Sequence, residues 1–197
     1  MPNSGRMNDL LILGVEVLLK EVNKKGRKTD YDLIGVYDND QLVSVDSRIP
    51  NRLVLEALKN DDIKQFEDYK FVKTEYSYNH LRFDFLLTNQ KEKCLLEVKS
   101  CTSVNHGVAR FPDAITERGR RQVKELMEAN KEGYRTCVLI IVQRPDVHLL
   151  VPDETDPDFG CTLRKAVREG VEVYAYNSEF IENRIILKDE IKVSLKG

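Results

Sequence analysis

Two short segments in the middle of the chain alternate apolar and polar residues with a period of two. They are residues 82–87 (RFDFLL) and 94–99 (CLLEVK), and a polar stretch at 88–93 separates them. This alternation is typical of strands with one buried face, and a short polar connection joins such strands into an antiparallel hairpin. Folding about the middle of the connection predicts three cross-strand pairs, which are Leu87 with Cys94, Phe85 with Leu96, and Asp84 with Glu97.

The predicted hairpin has one apolar face and one charged face. The apolar face is expected to pack against helices, and it carries Phe83, Phe85, Leu87, Cys94, Leu96 and Val98. The charged face carries Arg82, Asp84, Glu97 and Lys99. Two carboxylates directly opposite each other on neighbouring strands have Cβ atoms about 5 Å apart and destabilise the sheet unless a cation compensates them.

The paired carboxylates therefore indicate a candidate metal site. Mg²⁺ usually takes one or two protein carboxylates and completes its coordination with water and phosphate oxygens. Lys99, on the same face as Glu97, is placed to stabilise developing negative charge or to orient an attacking water. The spacing equally allows a site without metal, in which Arg82 and Lys99 pair with the two carboxylates on a solvated face.

The segments around the hairpin predict a mixed α/β body. Helix caps, glycine stops and apolar periodicity give the boundaries of the elements. The predicted order is a helix at 50–58, a strand at 70–78, the two hairpin strands, a helix from Thr116 to Gly133, a buried strand at 136–142, a helix from Asp156 to Gly170 with Leu163, Ala166 and Val167 on one side, and a strand at 171–176. A final hairpin or edge strand follows at 184–195.

The first fifty residues differ from this body, since they show short strands at 15–22 and 31–37 joined by charged turns. They are similar to part of a small barrel, which needs about five strands. The pattern supplies fewer, so the region is expected to lean on the main body or to need a partner segment.

Composition narrows the class of protein only slightly. The formal charge of −2 neither supports nor excludes a nucleic-acid partner. The four cysteines lack C-x-x-C spacing, which favours reduced core residues over a zinc site. Because the longest apolar run, at 138–142, is far too short to span a bilayer, we expect no membrane association and a cytoplasmic location.

Eight motifs in one order resemble those of the sugar fermentation stimulation protein A (SfsA) family. They span nearly the whole chain, and several motifs in sequence are far more specific than any one alone. The motifs are PNSGRM at 2–7, RKTDYD at 27–32, VDSRIPNR at 45–52, RFDFLL at 82–87, EVKS at 97–100, FPDA at 111–114, TERG at 116–119 and VQRPD at 142–146.

The resemblance implies an OB-like β region at 1–48, followed by a PD-(D/E)XK, restriction-endonuclease-like domain with a mixed sheet at 49–197. Family members usually have further strands before the segment that matches residues 2–6, so the barrel is expected to lack its first strands. In the PD-(D/E)XK pattern, Asp84 and Glu97 match the metal carboxylates, Lys99 the catalytic lysine and Glu56 the acid of the first helix. Glu56 also fits a solvated helix position.

The resemblance also implies DNA binding linked to regulation of sugar utilisation, with Mg²⁺ or Mn²⁺ as cofactor. Candidate phosphate contacts lie at the start of the 116–133 helix, whose positive end favours anions, and in loops where arginines can clamp phosphates. Ordinary ion pairs or a solvated position on the protein surface would also explain each of them. The candidates are Arg6, Arg48, Arg52, Arg118, Arg120, Arg121 and Gln122.

The leading hypothesis is a DNA-binding, metal-dependent nuclease in which Asp84 and Glu97 hold the metal and Lys99 positions or activates water. The main alternative is a DNA-binding regulator that retains the nuclease fold without catalysis. A third is an enzyme that hydrolyses a small phosphate ester at the same site. The sequence leaves the strand form of the DNA open and permits a homodimer.

Overall fold

The chain folds into two sheets and three α-helices over the residues that the computed structural model describes, which are 3, 5, 7–22, 26, 28–182 and 184–196. The first sheet is antiparallel, with the strand order β1-β2-β3. Its strands are β1 (Val17–Glu21), β2 (Tyr31–Asp38) and β3 (Gln41–Ser44). The pattern at 15–22 and 31–37 predicted the first two strands and missed the third.

The second sheet forms the body, and nine strands within the described part of the chain belong to it, in the order β4-β5-β6-β9-β11-β12-β10-β8-β7. The strands are β4 (Phe71–Tyr78), β5 (Leu81–Thr88), β6 (Lys93–Cys101), β7 (Val104–Asn105), β8 (Val108–Phe111), β9 (Arg135–Val142), β10 (Leu149–Pro152), β11 (Glu172–Ile181) and β12 (Arg184–Val193). Strands β6, β9 and β11 are parallel, whereas β4, β5 and β6 are antiparallel. The sheet is therefore mixed, as predicted.

Helices cover both faces of this sheet, and they are α1 (Ile49–Lys59), α2 (Glu117–Lys131) and α3 (Pro157–Arg168). One core joins α2 and α3 to the sheet, and a second core joins α1 and the short 3₁₀ turn Lys64–Phe66 to the opposite face. The central strand β9 contributes Val138, Ile140 and Val142 to the first core and Cys137, Leu139 and Ile141 to the second. Burial on both faces explains the continuous apolar run of this strand.

Caps fix the ends of the two long helices where the sequence predicted them. The Thr116 hydroxyl accepts from the Gly119 amide at 3.0 Å, and the Asp156 carboxylate accepts from the Phe159 amide at 3.0 Å. Gly133 and Gly170 follow the helices with φ of +92° and +98°, a conformation that glycine adopts without strain. The expectation that Val167 faces the core with Leu163 and Ala166 is wrong, because Val167 is 41% exposed.

The central hairpin has the predicted register, with Leu87 opposite Cys94 and Phe85 opposite Leu96. The ladder ends at Phe85, so Asp84 and Glu97 do not continue it as a regular pair. Phe83 packs in the first core and Phe85 in the second, so the prediction that the two share one face is wrong. The strict alternation of β5 is interrupted at Asp84.

For residues 184–195 the sequence predicted either a hairpin or an edge strand. The structure has the hairpin. Strand β12 pairs antiparallel with β11 on one side and parallel with β10 on the other. The sequence pattern does not predict the strands β7, β8 and β10, which complete that end of the sheet. None of the helices in the described part of the chain has the length and apolar character needed to cross a bilayer.

Candidate active site

A cavity of about 480 Å³ lies where the hairpin strands β5 and β6 meet the N-terminal segment and α2. Asp84 from β5 and Glu97 and Lys99 from β6 line it. Asn51 from the first turn of α1 and Gln122 from α2 line other parts of the same wall. The structure therefore brings together the three residues predicted to carry the chemistry.

Asp84 is held by two hydrogen bonds from different elements. Its Oδ1 accepts from Asn51 Nδ2 at 2.6 Å, and its Oδ2 accepts from the Val98 main-chain amide at 2.8 Å. The second bond explains why the ladder stops at Phe85, since the side chain of Asp84 takes an amide of β6. Each carboxylate oxygen retains a further lone pair that can contact a cation or a donor.

Glu97 is a buried carboxylate, with only 3% of the residue exposed. Its Oε1 accepts from Lys99 Nζ at 2.7 Å, whereas Oε2 is buried and has no hydrogen-bond partner among the described residues. Burial, together with a smaller contribution from the nearby Asp84, raises the pKa of Glu97 to about 7 against the lowering effect of Lys99. A buried oxygen without a donor costs free energy, and a bound cation would remove that cost.

Lys99 links Glu97 to Gln122. Its Nζ donates to Glu97 Oε1 and to Gln122 Oε1, each at 2.7 Å, and its side chain is 15% exposed. An ammonium has three N–H groups, so these two contacts, the ones made among the described residues, leave one for a molecule in the cavity. Gln122 was predicted as a contact for DNA, but the structure buries it against Lys99.

The structure does not bring Glu56 to this cavity. Glu56 is exposed and lines two other cavities, which lie beside α1 and the start of β12. It follows Asn51 by five residues, which is about 140° around the helix. Because Asn51 faces Asp84, Glu56 points to a different side of α1.

Two of the arginines predicted to clamp phosphates from loops also lie outside this cavity, and the structure places one of them, Arg52, in α1. Arg48 and Arg52 line a separate cavity of about 650 Å³ between the first sheet and α1. Arg48 donates from Nε and Nη2 to the two carboxylate oxygens of Asp46, at 2.8 and 2.6 Å. Arg6 falls outside the described residues.

The three arginines of α2 differ in their surroundings. Arg118 lines the cavity of Asp84 and Glu97, and Arg121 is exposed on the helix surface. Arg120 forms an ion pair within the protein, in which its Nη1 donates to Asp156 Oδ1 at 2.7 Å. Arg118 and Arg121 can therefore reach phosphates from the cavity and from the helix surface, whereas Arg120 joins α2 to the start of α3.

The residues present fit a divalent cation with few protein ligands. Within the described ranges, no group of three or more Asp, Glu, His or Cys side chains is arranged to hold a metal ion. Two carboxylates are nevertheless what Mg²⁺ commonly takes, with water and substrate oxygens completing the octahedron. The observation that favours a cation here is that Glu97 Oε2 has no hydrogen-bond partner in the described part of the chain.

No pattern in the sequence indicated Asn51 or the N-terminal wall of the cavity as part of the site. Asn3 and Gly5 line the cavity opposite Asp113. The contact is close, because a Cβ on Gly5 would lie 2.6 Å from Asp113 Oδ2. The motifs PNSGRM and FPDA contain these residues, but no spacing indicates that two segments so far apart in the chain meet.

Comparisons with known proteins agree with this architecture. A family model described as the SfsA N-terminal OB domain matches residues 1–45, and one described as the sugar fermentation stimulation protein RE domain matches residues 48–184. These matches confirm the predicted fold class, an OB-like region followed by a mixed-sheet α/β domain.

Curated relatives and a solved structure match nearly the whole chain. Sugar fermentation stimulation protein homologs from Caldanaerobacter subterraneus subsp. tengcongensis and Alkaliphilus metalliredigens are 45% and 46% identical to it. The alignments cover 99% and 97% of this chain and 86% and 84% of the relatives. The structure of Pyrococcus furiosus SfsA in complex with Ca²⁺ matches with a TM-score of 0.90 at 27% identity, covering 98% of this chain and 84% of that one.

Proposed function

Because the chain belongs to the SfsA family, we propose that it binds DNA and hydrolyses phosphodiester bonds with Mg²⁺ or Mn²⁺ held by Asp84 and Glu97. The observation that carries the proposal is the buried Glu97 Oε2, which lies without a hydrogen-bond partner among the described residues in the cavity that Asp84 and Lys99 also line. The solved relative from P. furiosus was crystallised with Ca²⁺, which supports a divalent cation in this family.

When bound, a divalent cation would neutralise charge on the phosphate and lower the pKa of a water ligand. The chain's own residues would orient the reactants. Asp84 is fixed by Asn51 and the Val98 amide, and Lys99 is fixed by Glu97 and Gln122. The remaining N–H of Lys99 can donate to a phosphate oxygen or to the attacking water, which places positive charge where negative charge develops.

Addition of Mg²⁺ or Mn²⁺ is expected to raise the unfolding temperature of the wild-type protein. A cation at about 100 times its dissociation constant stabilises the folded state by about 2.7 kcal/mol, which is about 5–10 °C for a chain of this size. Scanning calorimetry with metal and with chelator measures the shift. The Asp84→Asn variant should lose most of it, because the substitution removes one of the two ligand charges.

Glu56→Gln is the matched control for this measurement, since it also removes one carboxylate but lies outside the cavity. It should keep the full shift. An equal shift in Asp84→Asn and the wild type would place the cation elsewhere and contradict the proposed site.

The DNA-binding surface in this proposal includes Arg118 and Arg121. Replacing both by Ala is expected to weaken binding to DNA and to reduce its salt dependence. Each lost phosphate contact changes the slope of log K against log salt by about 0.9 for duplex DNA and about 0.7 for a single strand. Fluorescence anisotropy in Ca²⁺ at several salt concentrations measures the slope.

The control for the arginine pair is the double variant Lys165→Ala with Arg168→Ala. These two exposed residues lie in the last turn of α3. Their replacement removes two positive charges, as the replacement of Arg118 and Arg121 does. This variant should keep the wild-type slope. If both double variants lower the slope equally, α2 does not form the specific contact surface.

A DNA-binding regulator without catalysis is the second candidate function. The position of Glu56 favours it, because the carboxylate predicted from the first helix does not reach Asp84 and Glu97. In that case Ala at Asp84 or Glu97 would leave DNA affinity unchanged or raise it by removing negative charge. Loss of cleavage in these variants would instead support the nuclease.

A further inference from the structure

The amide side chain of Asn51 contacts the candidate metal ligand Asp84. Asn51 lies in the first turn of α1, 33 residues before Asp84 in the chain, and the distance between Nδ2 and Oδ1 is 2.6 Å. An ionised carboxylate only accepts hydrogen bonds, so the amide nitrogen is the group that faces it. The contact therefore fixes which end of the Asn51 amide points toward the site.

Asn51 and the Val98 amide together determine the orientation of the Asp84 carboxylate. The terminal torsion of an aspartate is soft and broad, so one hydrogen bond leaves the plane of the carboxylate free to turn. The Val98 amide holds Oδ2, and Asn51 holds Oδ1. With both oxygens held, the remaining lone pairs keep a fixed direction relative to Glu97, the neighbour of Val98 in β6.

The position of Asn51 is itself fixed by packing. Four residues of α1, Leu53, Val54, Ala57 and Leu58, are buried in the core that also contains Leu96 and Val98 of β6. The first turn of α1 therefore cannot shift without disturbing this core. Because the helix is fixed, the hydrogen bond from Asn51 holds the Asp84 carboxylate of β5 in a fixed position.

The chemistry of an asparagine suits this role. A lysine or arginine at position 51 would neutralise Asp84 and weaken its attraction for a cation. A neutral amide donates the same hydrogen bond and leaves the charge of the two carboxylates available. Partners of this kind, which orient the ligands of a metal, commonly change metal affinity by about 10-fold to 100-fold when they are removed.

We propose that Asn51 is a positioning residue of the metal site, which holds Asp84 in the orientation that binds the divalent cation together with Glu97. The inference rests on the proposed function, because it requires that Asp84 and Glu97 bind a cation. The helix α1 would then contribute to the metal site by orienting Asp84 through Asn51, and not by supplying Glu56 as a ligand.

The test is a calorimetric titration of the metal-free protein with Mn²⁺, so that the readout is the dissociation constant and not cleavage. Asn51→Leu keeps a similar volume and removes the donor, and it is expected to raise the dissociation constant at least about 10-fold. Asn51→Gln keeps an amide donor on a longer side chain and is expected to fall between Leu and the wild type. Glu56→Gln, on the same helix, should bind Mn²⁺ as the wild type does.

The outcomes separate this inference from the proposed function. Wild-type affinity in Asn51→Leu would overturn the positioning role while leaving the metal site intact. Equal loss in the Leu and Gln variants, with an equal fall in the unfolding temperature of the metal-free proteins, would overturn it in favour of a structural role. A wild-type protein that binds no Mn²⁺ would overturn both the inference and the proposed function.

Discussion

The Lys99→Met variant is expected to hydrolyse DNA about 10²–10³ times more slowly than the wild-type protein, the usual loss when one preorganised donor to the transition state is removed. Methionine keeps most of the aliphatic length and removes the ammonium group that contacts Glu97 and Gln122. Cleavage rates under saturating Mn²⁺ and excess enzyme measure the effect on the chemical step.

Lys93→Met is the matched control, because Lys93 lies at the start of the same strand and is exposed outside the cavity. Its rate should equal that of the wild type. DNA affinity of Lys99→Met in Ca²⁺ should fall far less than the cleavage rate, because Lys99 makes at most one of several phosphate contacts and stabilises mainly the transition state. An unchanged cleavage rate in Lys99→Met would remove the lysine from the mechanism.

The Asp156→Ala variant is expected to lower the free energy of unfolding by about 3 kcal/mol, because it removes the buried partner of Arg120 and leaves two main-chain amides without their acceptor. Asp156 is 1% exposed and accepts from the Thr116 amide at 2.8 Å, the Phe159 amide at 3.0 Å and Arg120 Nη1 at 2.7 Å. Its loss uncaps α3 as well. Urea unfolding followed by circular dichroism measures the change.

The contacts of Asp156 make its contribution to the free energy of unfolding depend on pH. Burial raises the pKa of Asp156, but the amides of Thr116 and Phe159 and the charge of Arg120 outweigh it, so the net pKa lies below the usual value. A carboxyl whose pKa is depressed by folding stabilises the protein above its unfolded pKa of about 3.9, and this contribution is lost as the pH falls. The difference between Asp156→Ala and the wild type should therefore shrink below about pH 4.

Asp158→Ala provides the comparison for this measurement. Asp158 is two residues further on, its side chain is 80% exposed, and its carboxylate lies 3.6 Å from the same arginine. Exposed ion pairs contribute at most about 1 kcal/mol, so this variant should unfold nearly as the wild type does. Equal destabilisation by the two variants would show that Asp156 acts only through net charge near Arg120.

Much of the fold could be predicted because its determinants are local. The caps at Thr116 and Asp156, the glycines at 133 and 170 and the apolar run of β9 each act over a few residues. The register of the central hairpin followed from its alternation, which brought Asp84 and Glu97 to the same end of the sheet. The candidate site could therefore be predicted as far as it depends on neighbouring strands.

The features of the candidate site that the sequence did not predict depend on packing between segments that are distant in the chain. The contact of Asn51 with Asp84 requires the angle at which α1 crosses the sheet, and the same angle turns Glu56 away from it. The contact of Gln122 with Lys99 depends in the same way on α2. At Asp84, where the alternation of β5 is interrupted, the side chain accepts a hydrogen bond from the backbone of the next strand. The alternation of apolar and polar residues in the sequence cannot predict such a bond.

Whether Asp84 and Glu97 form a metal-dependent nuclease site is decided by cleavage of single-stranded and duplex DNA by the wild-type protein and Asp84→Asn, with Mg²⁺, Mn²⁺ or chelator. We expect the wild-type protein to cleave DNA only when the metal is present, and the variant not to cleave it. Intact DNA under every condition, with a gel shift that the variant retains, would contradict the nuclease and leave a DNA-binding protein on this fold. The same result without any shift would contradict DNA binding as well.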